Sequence, residues 1–214
     1  MIRVIEFRPT QLQWPWNAAP YMLLPAPRRG GWARQVPVDP FPGYAHDADL
    51  VRTIAARVGR AFPLTVPVQF SVLPYETPDR TNGQCEIAYD YKGDKPHPWA
   101  ASIVLWGKRI PPHPAMTRYL VAHEYGHAVE KAIALAHGEP EGSAQLAGMY
   151  RKLRGLPKAP RSYGGGTWHS TTGEIFANDF RILVAEIEPE FWPHPGVCRP
   201  DKVAAIRKFW RDVT

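Results

Sequence analysis

Residues 115–137 read AMTRYLVAHEYGHAVEKAIALAH, and this stretch decides how the chain is interpreted. Apolar residues recur there at helical spacing and form one stripe, made of Val121, Tyr125, Ala128, Ala132 and Leu135. Gly138 follows the stripe, and glycine commonly ends helices. The pattern predicts a long amphipathic helix over 115–137.

Two histidines on this helix have the spacing of metal ligands. His123 and His127 are four residues apart, so their side chains lie one above the other and both imidazoles can reach one zinc ion. Glu124 lies beside the first histidine, where a carboxylate can take a proton from an activated water. Gly126 costs about 1 kcal/mol relative to alanine inside a helix, so we expect another element to approach the helix there.

A catalytic zinc usually takes three protein ligands, so a third ligand must come from elsewhere in the chain. Glu174, at the start of a helix predicted over 172–188, is the favoured candidate. The same residue completes a Thr171-x-x-Glu174 capping box, so it could instead cap that helix. The alternative ligands are Asp179, His169 and Glu130.

These residues resemble a known group of enzymes. His-Glu-x-x-His on one helix, followed by Glu174 on a second, is similar to the gluzincin-type zinc metallopeptidases. The segment EIFANDF, residues 174–180, resembles the glutamate helix of anthrax lethal factor-like peptidases and the Glu-x-x-Ala-Asn-x-Phe pattern of ImmA-type peptidases. Glu174 lies 47 residues after His127, which suits the lethal factor-like group better. The resemblance covers residues 100–187 at most.

The resemblance implies a zinc-dependent metalloendopeptidase, with zinc bound by His123, His127 and Glu174 and with Glu124 as general base. It implies an α+β fold: a zincin-like domain with a small mixed sheet, an HExxH active-site helix and a following glutamate helix. The expected partner is therefore a peptide or protein substrate.

The resemblance also implies two elements beside the metal. One is an edge strand just before the metal helix, which would bind the substrate backbone by β-augmentation, and residues 101–106 are expected to form it. The other is a tyrosine before the glutamate helix that assists the transition state. Tyr163 is the matching residue, with His169 as the alternative stabiliser of the oxyanion.

The rest of the chain divides into an N-terminal arm and a domain. Residues 1–45 are rich in proline and aromatic residues and are interpreted as an extended arm that begins with a strand over Met1–Phe7, whereas residues 46–214 form the metallopeptidase domain. Asp47 or Asp49 is expected to cap the first helix of the domain. The further predicted elements are helices over 47–62, 141–154 and 201–212, strands over 66–73, 86–91 and 101–106, and a loop over 157–173.

Net charge and the distribution of apolar residues limit the binding partners and the cellular location that we expect. The formal net charge is +6, which is compatible with nucleic acid, but basic residues are scattered and no nucleic-acid motif stands out. No apolar run is long enough for a membrane span, and the first residues lack the pattern of a signal peptide. We therefore expect a cytoplasmic protein, or one that reaches a virion or the exterior by a non-classical route. Cys85 and Cys198 form no CxxC pair and are expected to be free thiols.

Two other functions are compatible with the same residues. The chain could be a non-catalytic, zinc-stabilised binding protein, such as a virion component or a regulator, whose aromatic arm docks a partner. Peptide deformylases also use His-Glu-x-x-His, with an upstream cysteine as third ligand, and Cys85 would take that place here. Glu124 distinguishes the first alternative from an enzyme, because a purely structural metal site has no need of a base.

Overall fold

The computed structural model describes the chain in nine stretches and shows an α+β fold built from a small mixed sheet and five helices. Only the backbone is described for residues 21–24, 34–37 and 144. The described residues are 1–6, 21–24, 34–37, 43–76, 82–138, 144–156, 171–188, 193–194 and 196–214.

The strands and helices follow the predicted order closely. The strands are β1 (Ile2–Glu6), β2 (Tyr21–Leu24), β3 (Arg34–Pro37), β4 (Val68–Val72), β5 (Gly83–Lys92) and β6 (Lys95–Leu105). The helices are α1 (Ala48–Ala61), α2 (Pro114–Ala136), α3 (Ala144–Arg154), α4 (Thr172–Leu183) and α5 (Ala204–Val213), with a short 3-10 helix over Pro200–Lys202.

The main sheet has the strand order β1-β4-β6-β5. β1 and β4 run parallel, β4 and β6 run parallel, and β5 is antiparallel to β6. The expectation that residues 101–106 form an edge strand is therefore wrong, because residues 101–105 pair with β4 on one side and with β5 on the other. Among the strands that the structure describes, β5 is the edge strand on this side of the sheet.

The interior position of β6 has a physical reason in its sequence. Ala101, Ile103, Val104 and Leu105 are all at most 3% exposed, so both faces of this stretch are buried. A run of consecutive apolar residues is typical of a strand covered on both faces, whereas a half-exposed strand alternates apolar and polar residues. β5 alternates more clearly, with Cys85 and Ile87 buried between exposed or half-buried neighbours.

The first helix begins as its sequence predicts. The Asp47 side chain accepts hydrogen bonds from the backbone N–H of Asp49 at 2.9 Å and of Leu50 at 3.1 Å, so Asp47 is the N-cap. α1 then packs against α2 and β1 with its buried stripe, which includes Val51, Ile54 and Val58.

α2 is the central element of the fold. It contacts α1, β5, β6 and α4. Its end is the predicted one, because Gly138 adopts a left-handed φ of 82°. The expected amphipathic pattern is incomplete, since Leu120 through Gly126 are all buried, His123 and Glu124 among them. α4 packs on the side of α2 that carries His123, and β5 lies against Glu124, so both polar residues are buried.

α4 is shorter than predicted and is held from behind. It ends at Leu183 rather than at residue 188. Buried Arg154 on α3 forms an ion pair with buried Asp179, whose carboxylate also accepts a hydrogen bond from Tyr150. Burial raises the pKa of Asp179 to about 7, although Arg154 and Tyr150 both oppose this rise. An aromatic cluster lies on the same side of α4. Its Phe176 ring packs against the rings of Tyr150, Phe209 and Trp210.

Residues before position 45 contribute directly to the main sheet. β1 pairs with β4 in the register Ile2↔Val68 to Glu6↔Val72, and the predicted N-terminal strand is confirmed. β2 and β3 form a separate antiparallel pair that the sequence did not predict. Most of the remaining arm lies outside the described residues, so the division at residue 45 stays a prediction.

Two smaller expectations can also be compared with the structure. Cys85 and Cys198 are both free, as predicted, with Cys85 buried and Cys198 exposed. Among the described residues, no helix combines the length and apolar character that crossing a membrane requires.

Candidate metal centre

The candidate metal centre lies where α2 and α4 pack together. A Cβ atom on Gly126 would lie 2.8 Å from the Cα atom and 2.9 Å from the carbonyl oxygen of Ala177, so only glycine permits this approach. His123 lies three residues before Gly126, and Glu174 lies three residues before Ala177. The expectation that another element approaches Gly126 is thus confirmed, and that element is the glutamate helix.

Three side chains converge at this crossing. His123 Nε2 lies 2.9 Å from Glu174 Oε2, and His127 Nε2 lies 3.4 Å from Glu174 Oε1. The two Nε2 atoms are 3.2 Å apart. Within the described part of the chain, these three residues are the group of potential ligands whose donor atoms all lie within 4.8 Å of one another.

The spacing of these donor atoms fits a tetrahedral metal ion. Two ligands bound at about 2.0–2.1 Å to a tetrahedral zinc are about 3.3 Å apart. The two Nε2 atoms are 3.2 Å apart, and the distances of 2.9 Å from His123 Nε2 to Glu174 Oε2 and of 3.4 Å from His127 Nε2 to Glu174 Oε1 also lie near that value, although they reach different oxygens of one carboxylate. Two neutral imidazoles and a carboxylate are also a ligand set that zinc prefers, with a fourth position left for water.

Glu130 supports one of the two histidines from behind. Its Oε2 atom lies 3.6 Å from His127 Nδ1, the ring nitrogen that does not face Glu174. Glu130 also lies against the first turn of α4, because a Cβ on Gly173 would be 3.1 Å from Glu130 Oε2. Glu130 is therefore placed to orient His127 rather than to bind the same ion, which is the usual arrangement behind a metal-bound histidine.

The carboxylates and imidazoles of the site shift one another's pKa values toward the charged forms. Burial alone would raise the pKa of Glu174, but hydrogen bonds from His123 and His127 hold this pKa at about 2. Burial lowers the pKa of His127, yet the carboxylates of Glu130 and Glu174 outweigh it and raise this pKa to about 10. The carboxylate of Glu174 is thus ionised, and a positive charge is stabilised between it and the two rings.

Glu124 lies against Gly83 of the edge strand β5. It is 6% exposed, and burial raises the pKa of its carboxyl, against the lowering effect of the two histidines. A Cβ on Gly83 would lie 2.5 Å from Glu124 Oε1 and 2.7 Å from its Cγ. The missing side chain at Gly83 therefore provides the space for the Glu124 carboxyl between α2 and β5.

Lys131 lies two helical turns after Glu124 on the same side of α2. Its Nζ atom donates a hydrogen bond of 2.5 Å to the backbone carbonyl of Cys85 on β5. Its positive charge also lowers the pKa of Glu124. α2 thus presents ligands to α4 on one side and two charged groups to β5 on another.

A stack of side chains lies behind His123. The Tyr119 ring is stacked on the His123 ring, with ring centres 5.3 Å apart and an interplanar angle of 19°. The Arg181 guanidinium lies 4.5 Å from the centre of the Tyr119 ring. Burial lowers the pKa of Arg181 to about 10. This stack fixes the orientation of the His123 ring.

The structure brings some of the sequence-predicted site residues together and leaves others apart. His123, His127 and Glu174 come together, with Glu124 one position away on α2. Thr171 does cap α4, because its hydroxyl accepts the Glu174 backbone N–H at 3.4 Å, while the Glu174 side chain faces the histidines. Glu174 is thus both part of a capped first turn and the third member of the donor group. Tyr163 and His169 lie outside the described residues.

Asp179 and Cys85 do not take part in the donor group. Asp179 faces Arg154 and Tyr150 on the opposite side of α4. Cys85 is buried in β5, and burial raises the pKa of its thiol to about 12. A thiol held protonated in this way is a poor metal ligand.

The sequence indicated Glu130 as an alternative ligand but not its supporting role, and it did not indicate Tyr119, Gly83 or Lys131. Tyr119 precedes His123 by one helical turn and Glu130 follows His127 by one turn, so helical periodicity alone could have indicated their neighbourhood. Gly83 and Lys131 act through contacts between α2 and β5, and no local sequence signal marks such contacts.

Comparison with known proteins adds no further constraint, since neither a family model, nor a curated protein, nor a solved structure matches the chain. The geometry of the site is therefore the basis for a proposed function.

Proposed function

We propose that this chain is a zinc-dependent metalloendopeptidase of the gluzincin type. The observation that carries the proposal is the convergence of His123 Nε2, His127 Nε2 and the Glu174 carboxylate at spacings that suit a tetrahedral ion. A buried carboxylate, Glu124, lies directly beside this group and is not part of it. Three ligands and an adjacent base are the components of a hydrolytic zinc site.

Each residue has a distinct role in this proposal. His123, His127 and Glu174 hold the ion, and zinc in such a site supplies Lewis acidity that polarises a carbonyl and makes water a nucleophile near neutral pH. Glu124 accepts the proton of the attacking water and returns it to the amine that leaves. Glu130 and Tyr119 keep the two imidazoles in orientation. Tyr163 remains the proposed stabiliser of the developing oxyanion.

The edge strand β5 is the proposed binding surface for the substrate backbone, in place of residues 101–106. Its Gly83 end lies against Glu124, and its outer side pairs with no strand among the described residues. An extended peptide added to this edge would run past Glu124 and the ligand group. Peptide-bond hydrolysis is therefore favoured over reactions of small compact substrates.

The geometry also bears on the two alternatives. A deformylase-like site needs Cys85 as a ligand, but Glu174 occupies the third position of the donor group. A purely structural metal site would not require the Glu124 carboxylate to be accommodated against a glycine of the neighbouring strand. A hydrolytic zinc site requires both a third ligand, which is Glu174, and a base beside the ligands, which is Glu124.

Metal content and turnover, measured on three proteins, test the proposal. Plasma mass spectrometry should find one zinc per chain in the wild type and in Glu124→Gln, and a large loss in Glu174→Ala. Wild type should cleave members of a quenched fluorogenic peptide library, and Glu124→Gln should lose at least about 100-fold in kcat. Zinc retained by Glu174→Ala, or wild-type turnover by Glu124→Gln, would overturn the assignment. One zinc per chain without any cleavage would favour the non-catalytic alternative.

A further inference from the structure

The hydrogen-bond pattern of β5 identifies which of its backbone groups face outward. The backbone N–H of Trp106 donates to the carbonyl of Asn82 at 2.9 Å, so this pair faces inward, between β5 and β6. Inward and outward groups alternate along an antiparallel ladder. In the register Gly83↔Leu105 and Cys85↔Ile103, the backbone groups of Gly83 and Cys85 therefore point to the outer edge.

The outward carbonyl of Cys85 already has a partner. It accepts the 2.5 Å hydrogen bond from Lys131 Nζ, which confirms that it points away from β6. A peptide that extended the sheet at this edge would need the same carbonyl as an acceptor for one of its own backbone N–H groups. Because a carbonyl oxygen carries two lone pairs, a bound peptide would have to share this oxygen atom with the Lys131 ammonium or displace the ammonium from it.

We propose that Lys131 covers the outer edge of β5 at Cys85 and must leave this carbonyl before a peptide backbone can pair there. Lys131 is thereby a residue that sets substrate affinity, in addition to the residues of the proposed reaction. This inference rests on the proposed function and on the use of β5 as the substrate strand. Charged side chains commonly protect the edges of sheets from unwanted pairing, and a flexible lysine is one that can be displaced.

The position of Lys131 separates this role from a catalytic one. Its Nζ atom is bound to a backbone oxygen of β5, and among the described residues neither a hydrogen bond nor an ion pair joins it to Glu124. An edge-covering lysine affects binding, so its removal should lower KM. Because loss of the Lys131 charge also raises the pKa of Glu124, kcat is compared on the high-pH plateau, where Glu124 is ionised in both proteins and kcat should stay near the wild-type value. A lysine that assists Glu124 or the transition state would instead lower kcat when removed.

The test uses the library peptide that the wild type cleaves fastest as its probe. Lys131→Met keeps the aliphatic stem and removes the donor, and it should lower KM about five- to tenfold. Lys131→Arg keeps a donor within reach of the Cys85 carbonyl and should restore the higher KM. Lys152→Met, an exposed charge removal on α3, is the matched control for net charge.

A second readout needs no turnover. In the Glu124→Gln background, calorimetric titration with the same peptide should give a lower Kd when Lys131→Met is added. A fall in the plateau value of kcat, an unchanged KM or a higher Kd in Lys131→Met would overturn the inference and leave the peptidase proposal intact. Absence of cleavage and of peptide binding in the wild type would overturn both, and the metal analysis described above would then show whether the metal site itself survives.

Discussion

Gly126 on α2 and Ala177 on α4 lie in direct contact, and this contact sets the distance between the histidine pair and Glu174. A Cβ on Gly126 would lie 2.8 Å from the Ala177 Cα atom, closer than nonbonded atoms tolerate. Both residues follow a ligand by three positions, so one helical turn connects the contact to the ligands on each side. The geometry of the candidate metal site is therefore coupled to the packing of two helix backbones.

Gly126→Ala should lower both stability and zinc affinity. Overpacking of this kind costs about 1–3 kcal/mol, while the better helix propensity of alanine returns about 1 kcal/mol. The cost should prevail, because the nearest atoms belong to the Ala177 backbone and cannot rotate away. Urea unfolding with and without zinc, together with chelator competition, measures the two effects.

Gly148→Ala on α3 is the matched control, since a Cβ there would meet no atom within 4 Å. It should leave zinc affinity unchanged and raise stability by up to about 1 kcal/mol. If Gly126→Ala behaved in the same way as this control, the close contact would not govern the site.

Gly83→Ala should reduce turnover without releasing zinc. The added Cβ would lie 2.5 Å from Oε1 and 2.7 Å from Cγ and Cδ of Glu124, which is a steric clash, so the whole carboxyl group must move. A misplaced base costs at least about tenfold in kcat, whereas the atoms nearest the added methyl group all belong to Glu124 rather than to a ligand, so the three ligand side chains should stay in place. Steady-state kinetics and metal analysis of the purified variant provide the comparison. Normal kcat with one zinc per chain would show that the proposed base does not need this space.

Glu130→Gln should weaken zinc binding by about 10- to 100-fold, because Glu130 lies behind His127 Nδ1. Chelator competition with a fluorescent indicator gives the affinity directly. Glu188→Gln is the control, because Glu188 pairs with Arg199 at an exposed position. Equal zinc affinities of the two variants would rule out an orienting role for Glu130.

His46 should make stability depend on pH below neutrality. Its ring is 2% exposed and contacts Thr117 Oγ1 at 2.8 Å, and burial, helped by the charge of Lys108, lowers its pKa to about 4. The unfolded chain binds this proton near pH 6.5, so the unfolded state takes up more protons between about pH 6.5 and 4. The stability that neutral His46 contributes is complete above pH 6.5 and is lost as the pH falls toward 4.

His46→Asn isolates this contribution. Asparagine can replace the Nδ1 contact with Thr117 but cannot titrate. Between pH 7 and pH 4.5, wild type should lose about 2–3 kcal/mol more of its unfolding free energy than the variant does. Urea titrations at both pH values measure this difference, and identical losses in the two proteins would contradict it.

The sequence predicted those parts of the site that depend on local spacing. His123, Glu124 and His127 are placed by one helix, and helical geometry alone brings the two histidines together. Glu174 is far away in sequence, and its predicted role as a ligand came from its position at the start of the next long helix and from the resemblance of that helix to a glutamate helix. The predicted edge strand was wrong because pairing between distant strands decides which strand is interior.

One signal for that pairing was present in the chain. Residues 101–105 are almost entirely apolar, as in a strand buried on both faces, and this favours an interior position. No comparable signal marks Gly83 or Lys131. Their roles arise from how closely α2 and β5 pack, and this distance depends on the whole core rather than on neighbouring residues.

The partnership of β1 with β4 has a kinetic consequence. These strands are 66 positions apart in the chain, whereas β5 and β6 form a hairpin and β6 is followed closely by α2. Closing so long a loop is slow compared with forming a hairpin, so we expect β1 to dock late in folding and to detach first in native-state fluctuations. Each detachment would leave β4 as an open template for another chain. The rate of self-association should therefore follow the opening of β1, while the ligand helices stay closed.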